Sequence, residues 1–138
     1  MSDSSKDKGM KVRRQVLGDA YVDRAVARTT PFSSAFQDFI TRMAWGDVWA
    51  RPELDRRTRS CVTLAALTTL GREAELALHV RAALRNGVTT TEIAEVLMHT
   101  AVYAGIPAAN QAFAVAQRVL DEIAAEEADA AQSDILKR

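Results

Sequence analysis

The chain of 138 residues carries 18 Lys and Arg against 18 Asp and Glu, so its formal charge is zero. The length suggests one domain, and the charge balance argues against a general nucleic-acid or membrane-surface role. One cysteine, Cys61, and two histidines rule out an internal disulfide or a Cys-x-x-Cys redox pair and give no familiar zinc spacing. No apolar run reaches membrane-spanning length and no signal-peptide pattern opens the chain, so a soluble cytoplasmic protein is expected.

Residues 1–10, MSDSSKDKGM, are polar and read as a disordered arm. From Arg13 a helix is expected, because Val16, Ala20, Val22, Val26 and Ala27 recur at roughly helical spacing. Thr29-Thr30-Pro31 ends it, with Thr30 placed to cap the next helix and Pro31 at its first position. Phe32, Phe36, Phe39, Ile40 and Met43 then repeat at i, i+4, i+7, i+8 and i+11, the pattern of a core stripe. The stripe leads into Trp45 and Trp49, four residues apart, and Arg51-Pro52 breaks it.

The stretch from Trp45 to Gly87, WGDVWARPELDRRTRSCVTLAALTTLGREAELALHVRAALRNG, holds the unusual chemistry. Asp55 is placed as an N-cap, and Arg56, Arg57 and Arg59 occupy the first turn behind it. Helix N-termini already carry partial positive charge, so arginines there are unfavourable unless an anion sits among them. Either they point into water and pair with acids such as Glu53, or they hold a bound carboxylate through the helix end and the guanidinium forks. The following CVTLAALTTL is apolar nearly all round and is expected to be the most buried element, with Cys61 a small core residue.

After a turn at Gly71, Leu76, Val80, Ala83 and Leu84 face the core and His79 lies at the edge of their stripe. Glu75 sits one turn earlier on the same side, where a carboxylate orients the ring and favours its protonated form. Gly87 is placed as a C′ glycine, and Thr89 with Glu92 matches a capping box. The next helix carries Ile93, Val96, Leu97, Thr100, Ala101 and Ala104 on one face, with His99 and Tyr103 on another, facing either a pocket or a subunit contact. Gly105-Ile106-Pro107 starts the last helix, whose stripe is Phe113, Ala116, Gln117, Leu120 and Ile123. Residues 124–138 read as a frayed tail, leaving 11–123 as the folded part. No strand pattern of period two appears, so the expected fold is all-α, a compact single domain of about six helices.

The segments WGDVWARPELDRRTRS and ELALHVRAALRNGVTTTEIAEVLMHTAVYAGIPAANQAF resemble the 4-carboxymuconolactone decarboxylase family, within the superfamily shared with alkyl-hydroperoxidase-D-like proteins. The resemblance runs over roughly residues 11–123. It implies that superfamily's all-α fold, a homo-oligomer (commonly a hexamer), and a cofactor-free step in the protocatechuate branch of the β-ketoadipate pathway. In the peroxidase branch a Cys-x-x-Cys precedes the histidine equivalent to His79; here those positions are Arg72 and Glu75, and the upstream glutamate falls at Ser60. Thiol peroxidase chemistry is therefore unsupported.

The implied substrate is a small dicarboxylate lactone. Loss of CO2 leaves electrons that spread into the lactone carbonyl as a dienolate, so the ring is its own electron sink. The protein must bind two carboxylates, stabilise charge growing on the lactone oxygen and see one proton delivered to carbon. On this reading His79 is the proton donor or oxygen polariser and Glu75 orients it. Arg57 and Arg59 bind carboxylate, with Arg81 and Arg85 as further candidates, and Trp45 and Trp49 wall a dry pocket. His99 and Tyr103 are secondary pocket candidates. A related decarboxylase-family enzyme on another lactone or β-keto-type acid and a non-enzymatic helical interaction protein are the competing readings.

Overall fold

A computed structural model describes residues 4–138, and every regular element in it is helical: α1 Ser4–Leu17, α2 Asp19–Ala27, α3 Ser34–Ile40, a π-helical segment Thr41–Trp49, α4 Arg56–Leu70, α5 Glu73–Arg85, α6 Thr90–Ala104 and α7 Ile106–Leu136. The all-α expectation holds. Seven α-helices stand where about six were expected, chiefly because the helix expected from Arg13 is two. Two compact units are distinguished, the first reaching Val62 and adding Ala82–Val88, the second formed by Thr63–Arg81 and Thr89–Arg138.

In the first unit α1 lies backbone to backbone on the π-helical segment. A Cβ on Gly9 would stand 2.0 Å from the Thr41 carbonyl oxygen, and one on Gly46 would stand 2.6 Å from that of Ser5. Ser5 meets Gly46, Gly9 meets Thr41 and Arg13 meets Gln37, so the two runs are antiparallel. Residues 4–10, expected as part of a disordered arm, are thus packed helix; residues 1–3 lie outside the described residues. Two glycines let the helices touch at a distance no side chain permits, and a polar composition hides that.

The break between α1 and α2 falls at Gly18, whose φ of 87° belongs to glycine. Arg85 Nη1 donates to the Val16 carbonyl at 3.0 Å, taking one of the carbonyls that the end of α1 leaves open. The third helix begins at Ser34 rather than at Pro31. Thr30 turns the chain instead, its carbonyl accepting from the N–H groups of Ser33 and Ser34.

The stripe expected to be core is mostly outside: Phe32 is 98 % exposed, and Phe36, Phe39 and Met43 are exposed as well. The π winding explains part of this. Its i→i+5 bonds turn Thr41, Trp45 and Gly46 inward and leave Met43 outside.

The core of the second unit is Leu64, Leu76, Val80, Ile93 and Leu97 with the alanines and valines of α7. α6 opens on the expected capping box, Thr89 Oγ1 accepting from the Glu92 N–H and Glu92 Oε1 accepting from the Thr89 N–H. The mid-section of α4 is not the most buried element. Only Ser60, Leu64 and Thr68 form a fully buried line along it, while Val62 and Leu70 are exposed. The buried side of α7 is Ala109, Ala112, Val115, Ala116 and Val119, one position off the expected stripe, and Phe113 is partly exposed. The tail expected to fray from Ala124 continues as α7 to Leu136. Alanine and glutamate favour helix there, and Arg81 grips Glu122 and Glu126. Among the described residues no helix is long and apolar enough to cross a membrane.

Candidate active site

Asp55 caps α4 as expected, its Oδ1 accepting the Thr58 N–H at 2.7 Å. That bond, with the charge of Arg57 as a smaller cause, holds its carboxyl below the ordinary value. Behind it the arginines divide. Arg59 turns back, donating from Nε to the Leu54 carbonyl at 3.0 Å and from Nη2 to that of Arg51 at 3.2 Å, and so ties down the loop before α4. Arg57 stays exposed beside Asp55. Glu53 faces Arg51, at 3.8 Å.

In the same unit Trp45 and Trp49 stack, with ring centroids 5.3 Å apart and planes at 30°. Trp45 is buried and Trp49 half-buried, so the π-helical segment presents one edge of an aromatic pair. Arg85 is committed to the end of α1 through Val16.

In the second unit His79 is largely withdrawn from water on α5. Burial pushes its pKa from 6.5 down to about 4, and Glu75 acts in the opposite sense without cancelling it. Sequence spacing alone predicts that Glu75 favours an imidazolium; in the structure desolvation dominates and the ring is neutral at pH 7. Arg81 makes a two-pronged bond to Glu126, at 3.0 and 2.9 Å, and reaches Glu122 at 3.2 Å. Its charge is therefore already answered by carboxylates of α7.

His99 and Tyr103 lie together on α6, centroids 5.4 Å apart, and both are exposed. They are not part of the wall of the groove between α6 and α7. That groove, of about 440 Å³, is lined by Met98, Val102, Ile106, Asn110 and Phe113 with small residues between. Cys61 is half-buried. Among the described residues no three His, Cys, Asp or Glu side chains cluster as a metal site.

A further buried cation lies outside the residues expected at the site. Arg13 is 5 % exposed, and its bond within the chain is a long one, Nη2 to Gln37 Oε1 at 3.4 Å. Its Nε is buried with no acceptor. The signal available was its place beside Val12 and Val16 on an apolar stripe, where a charged residue is out of keeping.

Residues 34–118 match the model of the carboxymuconolactone decarboxylase family. The chain is 47 % identical over 124 residues to a 4-carboxymuconolactone decarboxylase of Acinetobacter baylyi, covering 89 % of this chain and 92 % of that protein. It is 46 % identical over 119 residues to a nitrosuccinic acid decarboxylase of Metarhizium robertsii, covering 85 % of this chain and 82 % of that one. A 4-carboxymuconolactone decarboxylase of Pseudomonas putida is 56 % identical over 41 residues, 30 % of this chain and 85 % of that protein.

Proposed function

Because the chain belongs to the carboxymuconolactone decarboxylase family, we propose that it decarboxylates 4-carboxymuconolactone to 3-oxoadipate enol-lactone, as a cytoplasmic, cofactor-free step of the protocatechuate branch of the β-ketoadipate pathway. The likeness to the Acinetobacter enzyme along nearly its whole length carries this reading.

The C–C bond to the departing carboxylate breaks, and its electron pair enters the ring alkene and then the lactone carbonyl. Negative charge grows on the lactone oxygen, and the product forms when a proton reaches the α-carbon. A neutral imidazole suits the oxygen better than the carbon. Its N–H is a hydrogen-bond donor suited to developing charge in a dry setting, where such donors count most. His79 is therefore the polariser, Glu75 its orienting neighbour, and the proton comes ultimately from water. Trp45 and Trp49 supply an apolar wall that disfavours the compact charge of the leaving carboxylate relative to the spread charge of the dienolate. Arg57, in the first turn of α4, is a candidate for a substrate carboxylate, and Arg59 a second one whose guanidinium also serves the Leu54 and Arg51 carbonyls. Arg81 and Arg85 are weaker ones, since Glu122, Glu126 and Val16 already occupy them.

The likeness to a nitrosuccinic acid decarboxylase favours a second reading. Nitrosuccinic acid is also a dicarboxylic acid, and loss of the carboxylate beside its nitro group leaves electrons that the nitro group takes up. Both reactions ask for anchored carboxylates, a polariser and no cofactor, so the chemistry of the residues fits either.

A homo-oligomer, a hexamer by family resemblance, is part of the proposal. Its support is the apolar surface left open: Phe32, Phe36 and Phe39 in the first unit, and Val102, Tyr103 and Ile106 in the second. His99 and Tyr103 on this account belong to a subunit contact.

The deciding experiment follows lactone decay and CO2 release with chelator-treated protein, alongside His79→Ala and with nitrosuccinate as competitor. Fast turnover that collapses in the variant supports the function and the polariser. Turnover that survives moves the role off His79, and a higher kcat/KM on nitrosuccinate establishes the second reading.

A further inference from the structure

We infer that Arg13 is an anion anchor that binds a carboxylate of the dicarboxylate substrate, the one retained through the reaction. The inference rests on the decarboxylase reading for the identity of the ligand, and on the burial and bonding of this one guanidinium for the site.

A guanidinium carries five N–H donors and one full charge. Arg13, on α1, is 5 % exposed, and within the described residues it meets no carboxylate. The amide oxygen of Gln37 on α3 takes one N–H at 3.4 Å, at the long limit of a hydrogen bond. Its Nε is sealed from water without an acceptor. The neighbours that act on its charge are Tyr21 on α2, whose phenol is a weak partner, and Arg14, which repels. A buried cation held by one neutral amide is costly, and proteins keep such groups paired or keep them for a ligand.

Of the other candidate guanidinia, three have acceptors in the chain. Arg81 has Glu122 and Glu126, Arg85 has Val16, and Arg59 has Leu54 and Arg51. Arg14, next to Arg13, is bonded at 3.0 Å to Asp19 and at 2.8 Å to Asp23. Arg13 differs from all of these in being both buried and without an anion. The packing of α1 on the π-helical segment holds it in place, since Gly9 and Gly46 lock those backbones together one turn away. A rigid, desolvated guanidinium binds carboxylate more strongly than a surface one, because attraction rises as the local dielectric falls and little side-chain freedom is lost. The anchored group must be the retained carboxylate: holding the departing one would stabilise the ground state and slow the reaction.

The test uses the full-length protein with 4-carboxymuconolactone as substrate and succinate as a simple dicarboxylate probe. An anchor that holds ground state and transition state alike changes KM and spares kcat. Arg13→Gln is expected to raise KM about 10- to 100-fold with kcat within about threefold, the loss of one or more charge-assisted bonds. Arg13→Lys should recover part of it. Succinate should inhibit the wild type competitively and Arg13→Gln at least tenfold more weakly. An unchanged KM in a folded variant overturns the assignment. Should neither variant fold, a crystal structure of the wild type with succinate decides. A succinate carboxylate on the Arg13 guanidinium supports the anchor, and a carboxylate from a second copy of the chain in that place, or no anion there, overturns it. A wild type that binds succinate through Arg13 but leaves the lactone untouched keeps the anchor and removes the decarboxylase reading.

Discussion

Glu75 stands one helical turn before His79, and its charge fails to keep the imidazole protonated: burial holds the ring at about pH 4. An unfolded histidine titrates near 6.5. The folded pKa lies below the unfolded one, so His79 contributes stability that is full above pH 6.5 and disappears progressively as pH falls towards 4. The contribution reaches at most roughly 3 kcal/mol, less what residual solvent contact screens. We expect the urea midpoint of the wild type to fall across that window and His79→Gln to flatten the fall. Parallel curves for the two proteins would show that the ring is not buried neutral.

The same ring sets the pH dependence of activity. A neutral polariser has no ionisation between pH 5 and 8, so kcat/KM should be level there and Glu75→Gln should leave that part of the profile flat. An imidazolium proton donor would behave otherwise, with kcat/KM dropping tenfold per pH unit above about 4. That slope, if measured, would transfer His79 from the oxygen to the carbon of the substrate.

What the sequence made legible was local. The Asp55 cap, the Thr89–Glu92 box and the positive φ of Gly87 depend on neighbours within a few residues, and each stands as read. Partners far along the chain were not legible. Arg81 finds Glu122 and Glu126 at separations of 41 and 45 residues, and Arg85 finds Val16 at 69. Alternation of apolar residues says that a face will be covered, not by what. Phe32, Phe36 and Phe39 have the spacing of a core and the exposure of an unpartnered surface. The π winding of Thr41–Trp49 runs where the segment packs closely on α1, and no residue within it announces the change of period.

Those phenylalanines give a prediction that separates core from contact. Truncating a core phenylalanine costs about 3–5 kcal/mol. Phe36 is 60 % exposed, so Phe36→Ser should cost the subunit itself less than about 1 kcal/mol. The same change should weaken the proposed oligomer and lower its mass by sedimentation at micromolar concentration. A loss of about 3 kcal/mol or more with the assembled mass unchanged would place Phe36 in a core instead of at a contact.

The last prediction turns on Gly9, which lies in the stretch whose composition reads as a disordered arm. A Cβ there would stand 2.0 Å from the Thr41 carbonyl oxygen and 3.0 Å from the Gly46 nitrogen. Both are backbone atoms, so no rotamer change relieves the clash and α1 must lift away. Gly9→Ala adds a better helix former, which on a free arm would be neutral or slightly stabilising. In the packed α1 it is overpacking, and we expect a loss of at least about 2 kcal/mol in denaturant melts. Lifting α1 also moves Arg13 one turn along, so KM for the lactone should rise in the same variant before the protein unfolds. A Gly9→Ala protein with wild-type stability and wild-type KM would mean that residues 4–10 do not pack as seen, and would remove the support on which the Arg13 anchor stands.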